Sequence, residues 1–143
     1  MSIDTKYRIS ATATGGGRQG HVRTEDGAIA FDLTPPKALG GTGEGKNPEQ
    51  LFAAGYAACY LGAMRFATTQ DNSLARVPDD ASVTATVGIG PRSDKGFGLT
   101  VELAVSLPGV ERAEAERVAE AGHRICPYSH ATQGNIAVTT TIA

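Results

Sequence analysis

The segment from Asn47 to Thr69 constrains this chain more than any other. Asn47-Pro48-Glu49-Gln50 opens a helix: Asn is a favoured N-cap, Pro suits the first helical position, and Gln50 can close a variant capping box. The helix that follows, to about Thr69, carries Ala53, Ala54, Gly55, Ala57, Ala58, Gly62 and Ala63 among Leu51, Phe52, Leu61, Met64 and Phe66. A helix that is apolar round most of its circumference is expected to be central and largely buried. Its small residues let another backbone approach closely, and one of its positions is Cys59.

The flanking segments read as strands. Tyr7–Thr14 alternates with the period of a strand, and His21–Thr24 and Ala28–Leu33, joined across Asp26-Gly27, form a hairpin pattern. A loop rich in Gly and Pro leads from there to Asn47. Ser82–Ile89 and Phe97–Leu107 are two further strands joined by the turn-rich segment Gly90–Gly96, and an amphipathic helix spans about Glu111 to Ile125. Pro127 stops that helix just after Cys126, and the β-branched run Ile136–Ile142 is a last strand. The order βββαββαβ predicts an α+β fold, with antiparallel sheets around a long cysteine-bearing helix, as a single domain over residues 1–143.

Composition removes several function classes. With 13 basic and 15 acidic residues the net charge is −2, which leaves no positive excess to grip a phosphate backbone, so nucleic acid is not an expected partner. No stretch approaches the roughly 20 apolar residues of a membrane span, and residues 1–6 lack an apolar signal core, so the expectation is a cytoplasmic protein without a membrane partner. In that compartment two cysteines do not make a structural disulfide; if they pair, the pairing is chemistry. Cys59, Cys126, His21, His123 and His130 lack the close-spaced ligand pairs of zinc modules, and no metal is expected.

Two glycine-rich stretches imitate nucleotide motifs. Gly15–Gly20 matches G-x-G-x-x-G, but a strand follows where a helix should present its N-terminus to a pyrophosphate. Gly40–Asn47 resembles a phosphate loop, yet Asn47 stands where Ser or Thr would coordinate magnesium and Pro48 removes a backbone donor. Both are expected to be turns or loops.

Taken alone, Cys59 in a helix of small residues reads as a core thiol, since free Cys behaves as a small hydrophobe. Cys126 differs, because it lies at a helix end where the backbone turns. The long motifs around them, Asn47-Pro48-Glu49-Gln50-Leu51-Phe52-Ala53-Ala54-Gly55-Tyr56-Ala57-Ala58-Cys59 and Cys126-Pro127-Tyr128-Ser129-His130-Ala131-Thr132-Gln133-Gly134-Asn135, strongly resemble the organic hydroperoxide resistance proteins. These are one branch of a larger family that also holds the osmotically inducible peroxidases. The resemblance covers essentially the whole chain, its length and the order of its elements.

The resemblance implies a thiol peroxidase acting on organic hydroperoxides. Cys59 would be the peroxidatic nucleophile, Cys126 the resolving thiol, and Arg18 with Glu49 the polar pair that activates Cys59. The chemistry is consistent with these roles: a guanidinium beside sulfur favours the thiolate, which alone attacks an O–O bond at a useful rate. A carboxylate can hold a planar guanidinium by two prongs. The resemblance also implies lipoyl groups of lipoylated partner proteins as the reductant, no bound cofactor, and an intertwined homodimer with sites at the subunit boundary. Leu51, Phe52 and Tyr56 would supply an apolar wall for the substrate, or pack in the core as apolar residues at helical spacing ordinarily do.

The chain departs from the family pattern at Tyr60, His130 and Gln133, where Phe, Asn and Arg are common. His130 stands near the resolving thiol and Gln133 lacks a charge that could guide reductant docking, whereas His21 and His123 are expected on the surface. Spacing adds an inference of its own. Glu49 precedes Cys59 by ten residues, about 15 Å along a helix axis and beyond a Glu side chain's reach. Either the Glu49–Arg18 pair reaches the sulfur from a second subunit, or the helix is broken between Glu49 and Cys59. Competing readings are the osmotically inducible branch, a hydrolase using Cys59 with His130 and Asn135, and a metal- or ligand-binding module.

Overall fold

The structure, a computed structural model, describes residues 1–143, which divide into two compact units, Met1–Pro48 and Glu49–Ala143. In the first, β1 (Ala11–Thr14), β2 (His21–Thr24) and β3 (Ala30–Asp32) form an antiparallel meander. The ladder is shorter than the sequence pattern suggests. β2 ends at Thr24, so the ladder begins at Ala11; Ser10 still accepts the Glu25 N–H at 2.9 Å, and Tyr7–Ile9 extend beyond it. β3 loses Ala28 and Ile29 to the preceding turn, where Asp26 accepts the Ala28 N–H at 3.0 Å and the Thr24 hydroxyl at 2.7 Å. The β1–β2 connection is the Gly15–Gly20 stretch, a turn in which Gly15 and Gly17 adopt positive φ; it carries Arg18. Of residues 1–48, Leu33 alone is buried.

The second unit holds the core. The helix α1 runs unbroken from Pro48 to Gln70. It buries one face, Tyr56, Tyr60, Ala63, Met64 and Ala67, at helical spacing. Contrary to a helix buried all round, the opposite stripe of Leu51, Ala54, Ala58, Gly62 and Phe66 is exposed in the single chain.

β4 (Ser82–Pro91) and β5 (Phe97–Ser106) pair along ten-residue strands, with Val101, Leu103 and Val105 of β5 turned into the core. Pro91 is tolerated because β4 is an edge strand. The sheet is not wholly antiparallel, as expected from the sequence, but mixed. The final strand β6 (Val138–Ile142) pairs parallel to β5, because helices carry the chain back across the unit before it re-enters the sheet.

The first of these, α2 (Arg112–Ile125), places Ala115, Val118, Ala119 and Gly122 inward and pairs Arg112–Glu116, Glu114–Arg117 and Glu120–Arg124 outside. Gly122 marks a close crossing with α1: a Cβ there would come within 2.6 Å of the Met64 side chain and 3.2 Å of the Tyr60 ring. The second, α3 (Pro127–Thr132), is absent from the sequence reading, which takes Pro127 only as a breaker. Cys126 and Pro127 repeat the logic of Asn47-Pro48, an N-cap followed by Pro at the first helical position, so the proline ends one helix and begins the next.

Candidate active site

Cys59 and Cys126 meet although 67 positions separate them. Helix α1 delivers the partly buried Cys59, and the α2–α3 corner delivers Cys126, which is fully buried. The two Sγ atoms stand 3.7 Å apart with both thiols free. A disulfide needs about 2.05 Å, so closure requires a displacement of under about 2 Å. The Cys126 sulfur also caps α3, accepting the Ser129 N–H at 3.5 Å.

Burial pushes the Cys59 thiol above its ordinary range. The Tyr128 backbone N–H works in the opposite sense, and the neighbouring Cys126 adds to the upward shift. The surroundings that the second unit gives Cys59 therefore favour the thiol over the thiolate. The ring of Tyr128 closes an aromatic group with Phe52 and Tyr56, at centroid separations of 6.2 and 5.7 Å. Tyr128 lies over Gly55 of α1, where any Cβ would come within 2.9 Å of its hydroxyl.

Behind the thiols lies a chain of hydrogen bonds that sequence reasoning misses. The Tyr56 hydroxyl meets Ser129 Oγ at 2.8 Å. Ser129 Oγ meets His123 Nδ1 at 2.8 Å, and His123 Nε2 meets Thr140 Oγ1 at 2.7 Å. His123 is thus not a surface residue: it is half-buried, uses both ring nitrogens, and packs at a tilt against the Tyr60 ring with centroids 4.6 Å apart. Burial holds its pKa below the ordinary histidine value. The available signal is positional, since His123 falls one residue after Gly122 on the inner side of α2. His21, by contrast, is half-exposed and pairs with Asp32 at 2.9 Å.

The other expected site residues are distributed as follows. Arg18 occupies the β1–β2 turn and Glu49 the first turn of α1. Because α1 is continuous, the alternative of a helix broken between Glu49 and Cys59 falls away. Tyr56 is buried and engaged with Ser129, Phe52 is partly buried against the core, and Leu51 is exposed. His130 and Asn135 are exposed, whereas Cys126 and Ser129 of the same short segment face inward, so the Cys59–His130–Asn135 trio of a hydrolase is not assembled. No three His, Cys, Asp or Glu side chains converge as a metal site requires. No helix is long and apolar enough to cross a membrane.

Comparison with known proteins identifies the family of the chain. Residues 41–141 match the family model described as OsmC-like protein. The organic hydroperoxide resistance protein of Xanthomonas axonopodis pv. citri (strain 306) is 48% identical over 138 residues, covering 96% of this chain and 94% of that protein. A second such protein, from Bacillus subtilis (strain 168), is 40% identical over 124 residues, 86% of this chain and 88% of its own. Among solved structures, an organic hydroperoxide resistance protein from Elizabethkingia anophelis superimposes with a TM-score of 0.90 at 45% identity, over 99% of both chains.

Proposed function

The chain belongs to the organic hydroperoxide resistance branch of the OsmC-like family, and from that premise we propose that it is a cysteine-based peroxidase that reduces organic hydroperoxides to alcohols. The observation that carries this reading is the 3.7 Å approach of Cys126 Sγ to Cys59 Sγ, with both thiols reduced. Two thiols so close together, one buried and one partly exposed, are placed to act as a redox couple.

The cycle has three balanced steps. The Cys59 thiolate attacks the outer peroxide oxygen; an S–O bond forms, the O–O bond breaks, and the alkoxide leaves and takes up a proton as the alcohol. The Cys126 sulfur then attacks the Cys59 sulfenic acid, forming the disulfide and releasing water. Finally an external dithiol reopens the disulfide and is itself oxidised to a cyclic disulfide. The reductant we propose is a lipoyl group on a partner protein, and the setting a reducing, cytoplasmic one.

Since burial holds the Cys59 thiol up, the first step calls for a cation. We assign that part to Arg18, which also donates to the peroxide oxygens, with Glu49 orienting its guanidinium. Three observations support their arrival as part of a homodimer. Helix α1 is unbroken, so Glu49 cannot fold back on its own Cys59. The stripe Leu51, Ala54, Ala58, Gly62 and Phe66 is exposed, apolar and flat enough for a second helix. Residues 1–48 bury only Leu33, too little for a three-stranded sheet to stand by itself. Phe52 and Leu51 supply the apolar surface for the alkyl group, joined by Tyr128, while Tyr56, fully buried, packs behind them against Phe52 and Tyr128.

The test is steady-state consumption of an alkyl hydroperoxide with dihydrolipoamide as reductant and glutathione as control. Turnover with the dithiol that vanishes in Cys59→Ser supports the proposal. Absence of turnover with any dithiol would return the chain to the ligand-binding reading.

A further inference from the structure

A six-residue helix cannot hold its own position, since isolated helices below about 12 residues are marginal in water. Yet α3 must be held, because it carries the N-cap sulfur of Cys126. The bonds that hold it converge on one atom. Ser129 Oγ is buried and joined at 2.8 Å to Tyr56 of α1 and at 2.8 Å to His123 of α2. His123 continues at 2.7 Å to Thr140 of β6. Thr132, one turn further along α3, returns its hydroxyl to the Ser129 carbonyl at 3.1 Å and meets Tyr56 at 3.4 Å. Ser129 therefore has two tasks on its two sides: its N–H fixes the Cys126 sulfur, and its hydroxyl is pinned to α1 and α2 directly and to β6 through His123.

Resting on the peroxidase reading, we infer that Ser129 and His123 are positioning residues for resolution: their hydrogen bond sets Cys126 Sγ against Cys59 and so governs disulfide closure, without touching the peroxide step. Neither side chain is hydrogen-bonded to Cys59, whose sulfur meets Cys126. Losing the pin leaves the first step intact and lets α3 sample positions from which Cys126 cannot attack. The Cys59 sulfenic acid then survives longer, and a second hydroperoxide molecule can oxidise it to the sulfinic acid, giving up one oxygen and leaving as the alcohol.

Reduced wild type, Ser129→Ala, Ser129→Thr and His123→Asn are each mixed with one equivalent and with an excess of an alkyl hydroperoxide. After timed quenching, intact mass resolves thiol, sulfenic acid, disulfide and sulfinic acid. The expected result is that Ser129→Ala consumes its first equivalent as fast as wild type but closes the disulfide at least about fivefold to tenfold more slowly, the factor that even one of the two buried hydrogen bonds of Ser129 Oγ implies. It accumulates sulfinic acid at lower peroxide, and Ser129→Thr, which keeps the hydroxyl, restores closure. A second arm uses diamide, whose N=N bond takes up two electrons and two protons as both thiols become the disulfide, so closure is read without peroxidase chemistry. Peroxide left untouched by every protein while diamide closure slows in Ser129→Ala would strike the peroxidase reading and uphold the positioning role. Wild-type closure rates in both Ser129→Ala and His123→Asn, with either oxidant, would overturn it.

Discussion

The Tyr60 hydroxyl donates to the Ala119 carbonyl at 2.6 Å, tying α1, one residue past Cys59, to the middle of α2. Tyr60 is fully buried, and its hydroxyl would be costly without that partner. Removing the donor leaves the carbonyl within the α2 hydrogen-bond ladder, so the loss is one net hydrogen bond. Tyr60→Phe is expected to lower unfolding stability by about 1 kcal/mol while leaving peroxide consumption unchanged. Urea unfolding beside the turnover assay checks both parts.

Phe66 ends the exposed stripe of α1 and is 53% accessible in the single chain. A charge at such a position on a solitary helix surface changes stability by no more than about 0.5 kcal/mol. In a subunit interface it is far more disruptive, because a desolvated charge has no partner there. The wild type is expected to sediment as the proposed dimer, and Phe66→Glu as a monomer without turnover. An unchanged sedimentation coefficient would remove the stripe from the interface.

Burial raises the Cys59 thiol, and the proposed Arg18 contact lowers it again. Thiolate is the deprotonated form, so a lowered pKa moves the midpoint of thiolate reactivity to lower pH. With Cys126→Ser as background, the pH profile of Cys59 alkylation by iodoacetamide reports that midpoint. The Arg18→Ala profile is expected to lie above the ordinary cysteine value of about 8.5, and the Arg18-containing profile below that of Arg18→Ala. Coincident profiles would take Arg18 away from the sulfur.

His123 is held neutral by its burial, so its folded pKa lies below the unfolded value. The unfolded chain binds the extra proton as the pH falls, which means the stabilisation is complete above about pH 6.5 and is lost progressively below it. Denaturant midpoints are expected to fall between about pH 7.5 and pH 5, and His123→Asn to flatten that part of the slope.

Much of the second unit was legible in the sequence because its signals are local. Asn47-Pro48 starts α1 where expected, and α2 and the β4–β5 hairpin follow from their periodicities. What was missed depends on tertiary pairing. The length of β1 is set by β2, which no residue of β1 reveals, and the parallel direction of β6 is set by the path through α2 and α3. Cys126-Pro127 reads as a stop because proline is a breaker, although the same residue suits a first helical turn. At the site, the two cysteines were legible as a pair through their motifs. The Ser129–His123–Thr140 chain was not, since hydrogen bonds between hydroxyls and an imidazole carry no periodicity.

Conversion of one hydroperoxide into one disulfide by Cys59 and Cys126 is tested most directly by titrating the fully reduced protein, without external reductant, with an alkyl hydroperoxide while alcohol release and the Cys59–Cys126 peptide are followed together. One alcohol and one Cys59–Cys126 disulfide per chain are expected, with Cys59→Ser inert and Cys126→Ser stopping at the Cys59 sulfenic acid. Peroxide consumed to the same extent by Cys59→Ser, or a disulfide formed between chains in place of Cys59–Cys126, would contradict it.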